Sequence, residues 1–287
     1  MGKSWQRGIV VGMDGSEQSL AAMDWAVLAA DRHGTRLTVL SAYAALPVAA
    51  AALDTSIADL RSEACNAVEH AVARLGRARP GGHTVEQQIV HGDPAYMLAQ
   101  RSRTADLVVV GSRGLGALDR VVLGSVSGTL AATAEGPVAV IPTATGSGDP
   151  GRVVVGISTE NAGPQLDLGF AEAQQRACPL VAVHVMETDP AAAPDFGGPN
   201  ARHDVDERDQ VQRQVARWAE KYPSVTRHVV FRSGNAPDAL LDELEPDDLA
   251  VLGGHAHPLT MGRLRYSITD AIVRRAHNPV IVAHQQE

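Results

Sequence analysis

The chain repeats itself at a spacing of about half its 287 residues, and this constrains its fold more than any other feature. Val10-Val11-Gly12-Met13-Asp14-Gly15-Ser16 returns as Val154-Val155-Gly156-Ile157-Ser158-Thr159-Glu160, offset by 144. Thr38 to Ala42 returns as Val181 to Val185, offset by 143. Ala105 to Gly111 returns as Asp247 to Gly253, and Pro137 to Ile141 as Pro279 to Ala283, both offset by 142. Four ordered matches with slow drift indicate a tandem duplication. Residues 143–152, rich in Gly, Thr and Ser with Pro150, read as the linker. The predicted domains are residues 1–145 and 151–287.

Each copy alternates short apolar runs with longer amphipathic stretches. In the first, strands are predicted at Ile9 to Met13, Leu37 to Ala42, Val85 to Val90, Leu107 to Gly111 and Val138 to Ile141. Helices are predicted at Ser16 to Arg32, Thr55 to Leu75, Pro94 to Arg103 and Ala117 to Ala134, with Ser16 as an N-cap and Gly34 past the first helix's end. Such alternation predicts an α/β fold of two tandem, doubly wound units, each a parallel sheet with helices on both faces. Aromatic residues are only 3% of the chain, so its core must come from Val, Leu, Ile and Ala.

Charge and cysteine content exclude several classes. The net charge is -8 and no basic run stands out, which argues against nucleic acid as a partner. Lys3 and Lys221 are the only lysines, so a phosphate site must rely on backbone amides, Arg or a metal. Cys65 and Cys178 lack disulfide or zinc-site spacing, and Met1 to Gly8 lacks the apolar core of a signal peptide. The apolar run Ala42 to Leu53 is broken by Pro47 and too short to span a bilayer. The expectation is a cytoplasmic protein without a membrane partner.

In parallel sheets of this kind ligands bind beyond the carboxyl ends of the strands, where strand order reverses. Two such ends carry unusual residues. The first strand runs into Gly12-Met13-Asp14-Gly15-Ser16. The fourth runs into Gly111-Ser112-Arg113-Gly114-Leu115-Gly116, followed by Gly124-Ser125-Val126-Ser127. Glycines leave room for backbone N–H groups to approach a phosphate, and a helix start supplies more of them. Asp14 suits ribose hydroxyls, which donate hydrogen bonds. A tight strand-to-helix turn would also use such glycines, but the full Gly111-x2-Gly114-x9-Gly124-Ser125 pattern with Asp14 favours a ligand.

That pattern resembles the ATP-binding signature of the universal stress proteins, and the resemblance runs through both copies. The Val-Gly-Met-Asp-Gly-Ser start, the Gly92-Asp93-Pro94-Ala95 turn and the closing Pro137 to Ile141 strand support it. It implies a five-stranded sheet in the order 3-2-1-4-5, with ATP lying across the first and fourth strands, often with Mg²⁺ or Mn²⁺. Val11, Gly12 and Ala42 would surround adenine, Asp14 would hold ribose, and Gly111, Gly114, Gly124 and Ser125 would hold phosphates. The loop residues beside them, Ser112, Arg113, Leu115, Gly116, Ala117 and Val126, complete the expected site, and Arg120 is a possible further charge. The resemblance also implies pairing of the last strands, Val138 to Ile141 and Val280 to Ala283, between copies or in a homodimer, where an apolar edge invites a partner.

The second copy departs from the signature. Ser158 stands for Asp14, Ala256 for Gly114 and Tyr266 for Gly124. These three losses predict a weak or empty second site. His255 and His257 lack a carboxylate or Cys at ligand spacing, so no protein metal site is expected. His184 is expected to pack or cap at a strand end, and the acidic stretch 204–209 to begin a helix. No nucleophile elbow, HExxH or Walker lysine is present, and no acid–base pair declares itself. The expected function is an ATP-binding, nucleotide-responsive signalling module with an unknown protein partner, and not an enzyme. The alternatives are a slow ATP-hydrolysing enzyme and an interaction protein whose nucleotide is incidental.

Overall fold

A computed structural model describes residues 5–44, 56–78, 85–113, 123–143, 151–160, 162–186, 199–254 and 268–284. Contacts divide the chain near residue 145 into two compact units. The first is β1 (Ile9–Gly12), α1 (Glu17–His33), β2 (Leu37–Tyr43), α2 (Ile57–Ala78), β3 (Val85–His91), α3 (Pro94–Ser102), β4 (Leu107–Gly111), α4 (Ser125–Thr133) and β5 (Val138–Ile141). The second is β6 (Val153–Ile157), α5 (Gly163–Arg176), β7 (Leu180–Met186), α6 (Pro199–Ala219), β8 (Arg227–Ser233), α7 (Ala236–Glu243), β9 (Leu249–Gly253), α8 (Ile268–Arg275) and β10 (Val280–Ala283).

The strands of the first unit run in the order β3-β2-β1-β4-β5, and those of the second in the matching order β8-β7-β6-β9-β10. All the pairings described within each unit are parallel. Ile9 faces Leu37 on one side and Leu107 on the other, and Val153 likewise faces Leu180 and Leu249. Short runs of Val, Ile and Leu form these central strands because helices cover both faces, so neither face needs polar residues. Ile9, Val11, Leu107, Val109, Val153, Val155 and Val251 are fully buried.

The two units anchor the start of their first strand in related ways. Asp106 Oδ2 accepts hydrogen bonds from the Arg7 and Gly8 amides at 2.6 and 2.9 Å. Asp248, one repeat later, accepts from the Arg152 guanidinium at 2.6 Å and the Glu245 amide at 2.9 Å. The hydrogen bond to Asp248 is the main cause holding the Arg152 pKa above its ordinary value.

The first helices differ at their starts and agree at their ends. Ser16 caps α1, its Oγ accepting from the Ser19 amide at 3.1 Å, after a turn that needs Gly15 at φ +84°. Thr159 stands where Gly15 does, and α5 begins after Ala162 with no side-chain cap. Both helices end in a left-handed residue, Gly34 at φ 58° and Ala177 at φ 50°.

Two expectations are corrected. The helix expected from Ala117 begins, within the described residues, at Ser125, because Gly124 has an extended conformation (φ -61°, ψ 151°) and acts as its N-cap. The acidic stretch 204–209 does not start a helix but lies inside α6, which begins at Pro199, a residue suited to a first helical turn.

Candidate functional site

β1 is the switch point of the first sheet, pairing with β2 on one side and β4 on the other. A cavity of about 440 Å³ opens beyond the carboxyl ends of these strands, within the range of small-molecule sites. Its floor is apolar: Leu40 from β2, Val110 from β4 and Leu98 from α3 line it. Gly12 makes that floor possible, since a Cβ there would lie 2.9 Å from Leu98 Cδ1 and 3.2 Å from Val110 Cγ1.

Polar groups lie on the rim. Asp14, in the loop after β1, is exposed and lines the cavity; buried Ser19 and half-buried Arg113 line it as well. Asp14 Oδ1 accepts two hydrogen bonds from one residue, from Ser16 N at 3.0 Å and Ser16 Oγ at 2.6 Å. The first turn of α4 forms another part of the rim through Gly124, Ser125, Val126 and Ser127. Its N-cap is Gly124, which has no side chain to accept from the first amides. Its first amides therefore present donors and the positive end of the helix dipole on the cavity wall. Ser127 Oγ contacts the Ser112 and Gly124 carbonyl oxygens at 3.0 and 3.1 Å, and Gly124 N donates to Ser112 O at 2.9 Å. These bonds tie the start of α4 to the end of β4.

Among the residues expected at a ligand, Gly12, Asp14, Ala42, Gly111, Arg113, Gly124, Ser125 and Val126 lie together around this cavity. Val11 and Ser112 do not line it. Val11 is fully buried within β1, and the Ser112 amide donates to Ile141 O while its carbonyl accepts from Gly124 and Ser127. Gly114, Leu115, Gly116, Ala117 and Arg120 lie outside the described residues. The cavity is also lined by Leu40, Leu98 and Val110 on its floor and by Met13, Ser19, Pro94, Leu123 and Ser127 around it, none of them among the expected ligand residues. Met13, Pro94 and Ser127 carry a local signal, each lying in one of the quoted runs: Gly12 to Ser16, Gly92 to Ala95 and Gly124 to Ser127.

Two glycines serve packing. A Cβ on Gly111 would lie 2.7 Å from the Gln18 backbone carbonyl carbon, so this glycine admits α1 against β4. A Cβ on Gly124 would lie 3.1 Å from Arg113 Cα, so this one lets the two loops approach each other.

The second unit repeats the floor. A Cβ on Gly156 would lie 2.9 Å from Leu252 Cδ2 and 3.4 Å from Leu240 Cδ1, the same arrangement one repeat later. Ser158 and Glu160 replace Asp14 and Ser16. Ala256 and Tyr266 lie outside the described residues. His184 is buried in β7, with Nδ1 2.9 Å from Ile157 O and Nε2 3.0 Å from Glu207 Oε1 on α6. It fastens α6 to the sheet. Among the described residues no group of three or more His, Cys, Asp or Glu could hold a metal ion, and no helix is long and apolar enough to cross a membrane.

Fold and cleft together define a doubly wound α/β protein made of two units of one design, with a concave, polar-rimmed cavity at the switch point of the first. A family model described as the universal stress protein family matches residues 7–142 and again 150–284. A universal stress protein of Mycolicibacterium smegmatis is 32% identical over 283 residues, covering 96% of both chains. Universal stress protein Rv1996 of Mycobacterium tuberculosis is 31% identical over 299 residues, covering 96% of this chain and 94% of that one. A universal stress protein structure from Archaeoglobus fulgidus shares the fold, with a TM-score of 0.69, 20% identity, and coverage of 99% of this chain and 97% of that one. The chain belongs to the universal stress protein family.

Proposed function

We propose that the first unit binds ATP and acts as a nucleotide-responsive module, the second serving as a partner with little or no nucleotide affinity. The observation that carries this reading is one cavity with three chemistries. The apolar floor beside Gly12 suits a purine ring, the Asp14 carboxylate suits ribose hydroxyls, and the first turn of α4, with glycine as its N-cap, suits phosphate. Arg113 on the rim adds positive charge. Mg²⁺ or Mn²⁺ would enter on the phosphates. The reading is of binding rather than turnover: Asp14 has a positioning role, and no nucleophile–base pair is assigned.

Equilibrium dialysis with ATP tests it, with one ATP expected per chain. Ser125 is exposed on the first turn of α4 and lines the cavity. Ser125→Glu suits a helix N-terminus and should fold normally, yet it sets a negative charge against the phosphates. Loss of at least roughly tenfold in affinity is expected from repulsion at a desolvated site. Absence of ATP binding to the natural sequence would overturn the proposal. Steady hydrolysis abolished by Asp14→Ala would replace it with an enzymatic one.

A further inference from the structure

We infer that Ser16 is the positioning residue that aims Asp14, so that discrimination for ribose hydroxyls is set by a helix-capping serine outside the cavity lining. The inference rests on the ATP reading of the site above and deepens it.

Ser16 is buried, and its hydroxyl makes two bonds at once. Its proton goes to Asp14 Oδ1 at 2.6 Å, and its oxygen accepts from the Ser19 amide at 3.1 Å. The Ser16 amide makes a second bond to the same Asp14 oxygen at 3.0 Å. Ser19 Oγ in turn contacts Ser16 O at 2.9 Å and Met13 Sδ at 3.2 Å, and both Ser19 and Met13 line the cavity. An exposed carboxylate on a short loop would ordinarily sample several rotamers. Two bonds on one oxygen from a residue locked as an N-cap restrict Asp14 to one direction, and an acceptor fixed before binding loses less freedom when a hydroxyl arrives. The chain carries its own comparison. The second unit has Ser158 at the Asp14 position and Glu160 at the Ser16 position, and its first helix has no side-chain cap. Acceptor and aiming hydroxyl are absent together.

The test measures binding of ATP and of 2′,3′-dideoxy-ATP by calorimetry to the full chain and to Ser16→Gly and Ser16→Thr. Glycine is nearly as good an N-cap as serine, so the fold is kept while the hydroxyl is lost. The natural protein should prefer ATP by roughly tenfold or more, the size expected for hydrogen bonds to a charged acceptor. Ser16→Gly should lose most of that preference by weakening ATP alone, with affinity for the dideoxy compound unchanged, and Ser16→Thr should keep it. Equal weakening of both ligands, or an undiminished preference in Ser16→Gly, would overturn the inference while leaving ATP binding in place. Equal binding of both compounds to the natural protein would do the same. No binding of ATP at all would overturn the ATP reading, and the inference with it.

Discussion

A Cβ on Gly111 would lie 2.7 Å from the backbone carbonyl carbon of Gln18. The closest atoms belong to the main chain of α1 as well as to the Gln18 side chain, so the clash cannot be relieved by rotating that side chain. Gly111→Ala should therefore destabilise the ligand-free protein by about 1 to 3 kcal/mol, the range for forcing extra volume into a packed site. Gly253, one repeat later, faces the side chain of Gln165 at 3.0 Å, so Gly253→Ala should cost less. Urea denaturation of both variants without nucleotide checks the ranking; equal midpoints would refute it.

Ala177 ends α5 at φ 50°, a conformation that strains an L-residue. Gly34 ends α1 at φ 58° without that penalty, and no atom lies within 4 Å of a Cβ placed on it. Ala177→Gly should stabilise the chain by about 0.5 to 1 kcal/mol, and Gly34→Ala should destabilise it by a similar amount. Thermal melting reads both, and shifts of the same sign would contradict the reasoning.

Asp248 is almost completely buried and holds Arg152 and the Glu245 amide. Asp248→Ala leaves a largely buried guanidinium and an amide without that acceptor, at a cost of about 3 kcal/mol. Asp248→Asn keeps an acceptor and should cost less. A fall in the urea midpoint of less than a tenth of the natural value for Asp248→Ala would argue that Arg152 finds another carboxylate, Glu243 or Glu245, both of which pair with it.

Ser56 and Asp59 form a reciprocal cap at the start of α2. Asp59 Oδ2 accepts from Ser56 Oγ at 2.7 Å and Ser56 N at 2.9 Å, while Ser56 Oγ accepts from Asp59 N at 3.2 Å. The hydroxyl bond first, then the amide bond, holds the Asp59 pKa below its ordinary 3.8. A carboxyl group with a lowered folded pKa adds stability above its unfolded pKa and loses it as pH falls through the folded value. The protection factor of the amides in the first turn of α2, the slowing of exchange relative to an unfolded peptide at the same pH, should therefore fall below about pH 4, around the unfolded carboxylate value. Ser56→Ala should return the Asp59 titration, followed by NMR, towards 3.8.

Much of this was legible in the residues. β4 and β5 lie at Leu107–Gly111 and Val138–Ile141 as expected, because glycine or proline borders each apolar run. The turn chemistry of Gly15, Ser16 and Gly34 was legible for the same reason: each acts within a few residues of itself. α4 is shorter than its apolar pattern, which continues through Gly124, because the extended backbone of Gly124 sets the helix start at Ser125. α6 starts at Pro199 and not at the acidic stretch, because acidic residues suit any first turn and do not by themselves mark one. The cavity floor was not legible. Leu40, Leu98 and Val110 are ordinary core residues in sequence, and only the fold sets them beneath Gly12. The bond from Glu207 to His184 spans 23 positions and likewise had no local sign.

Gly12 and Gly156 lie over equivalent leucine-lined floors, although only the first has an aspartate beside it. The second unit thus acts as an internal control. What both units retain reports the demands of folding, and what only one retains reports the demands of a ligand. On that criterion Gly12 belongs to the architecture, and the proposed binding role falls to Asp14 and Ser16, the latter also capping α1. A graft of Asp14-Gly15-Ser16 onto residues 158–160 would ask how few side chains separate a scaffold from a receptor.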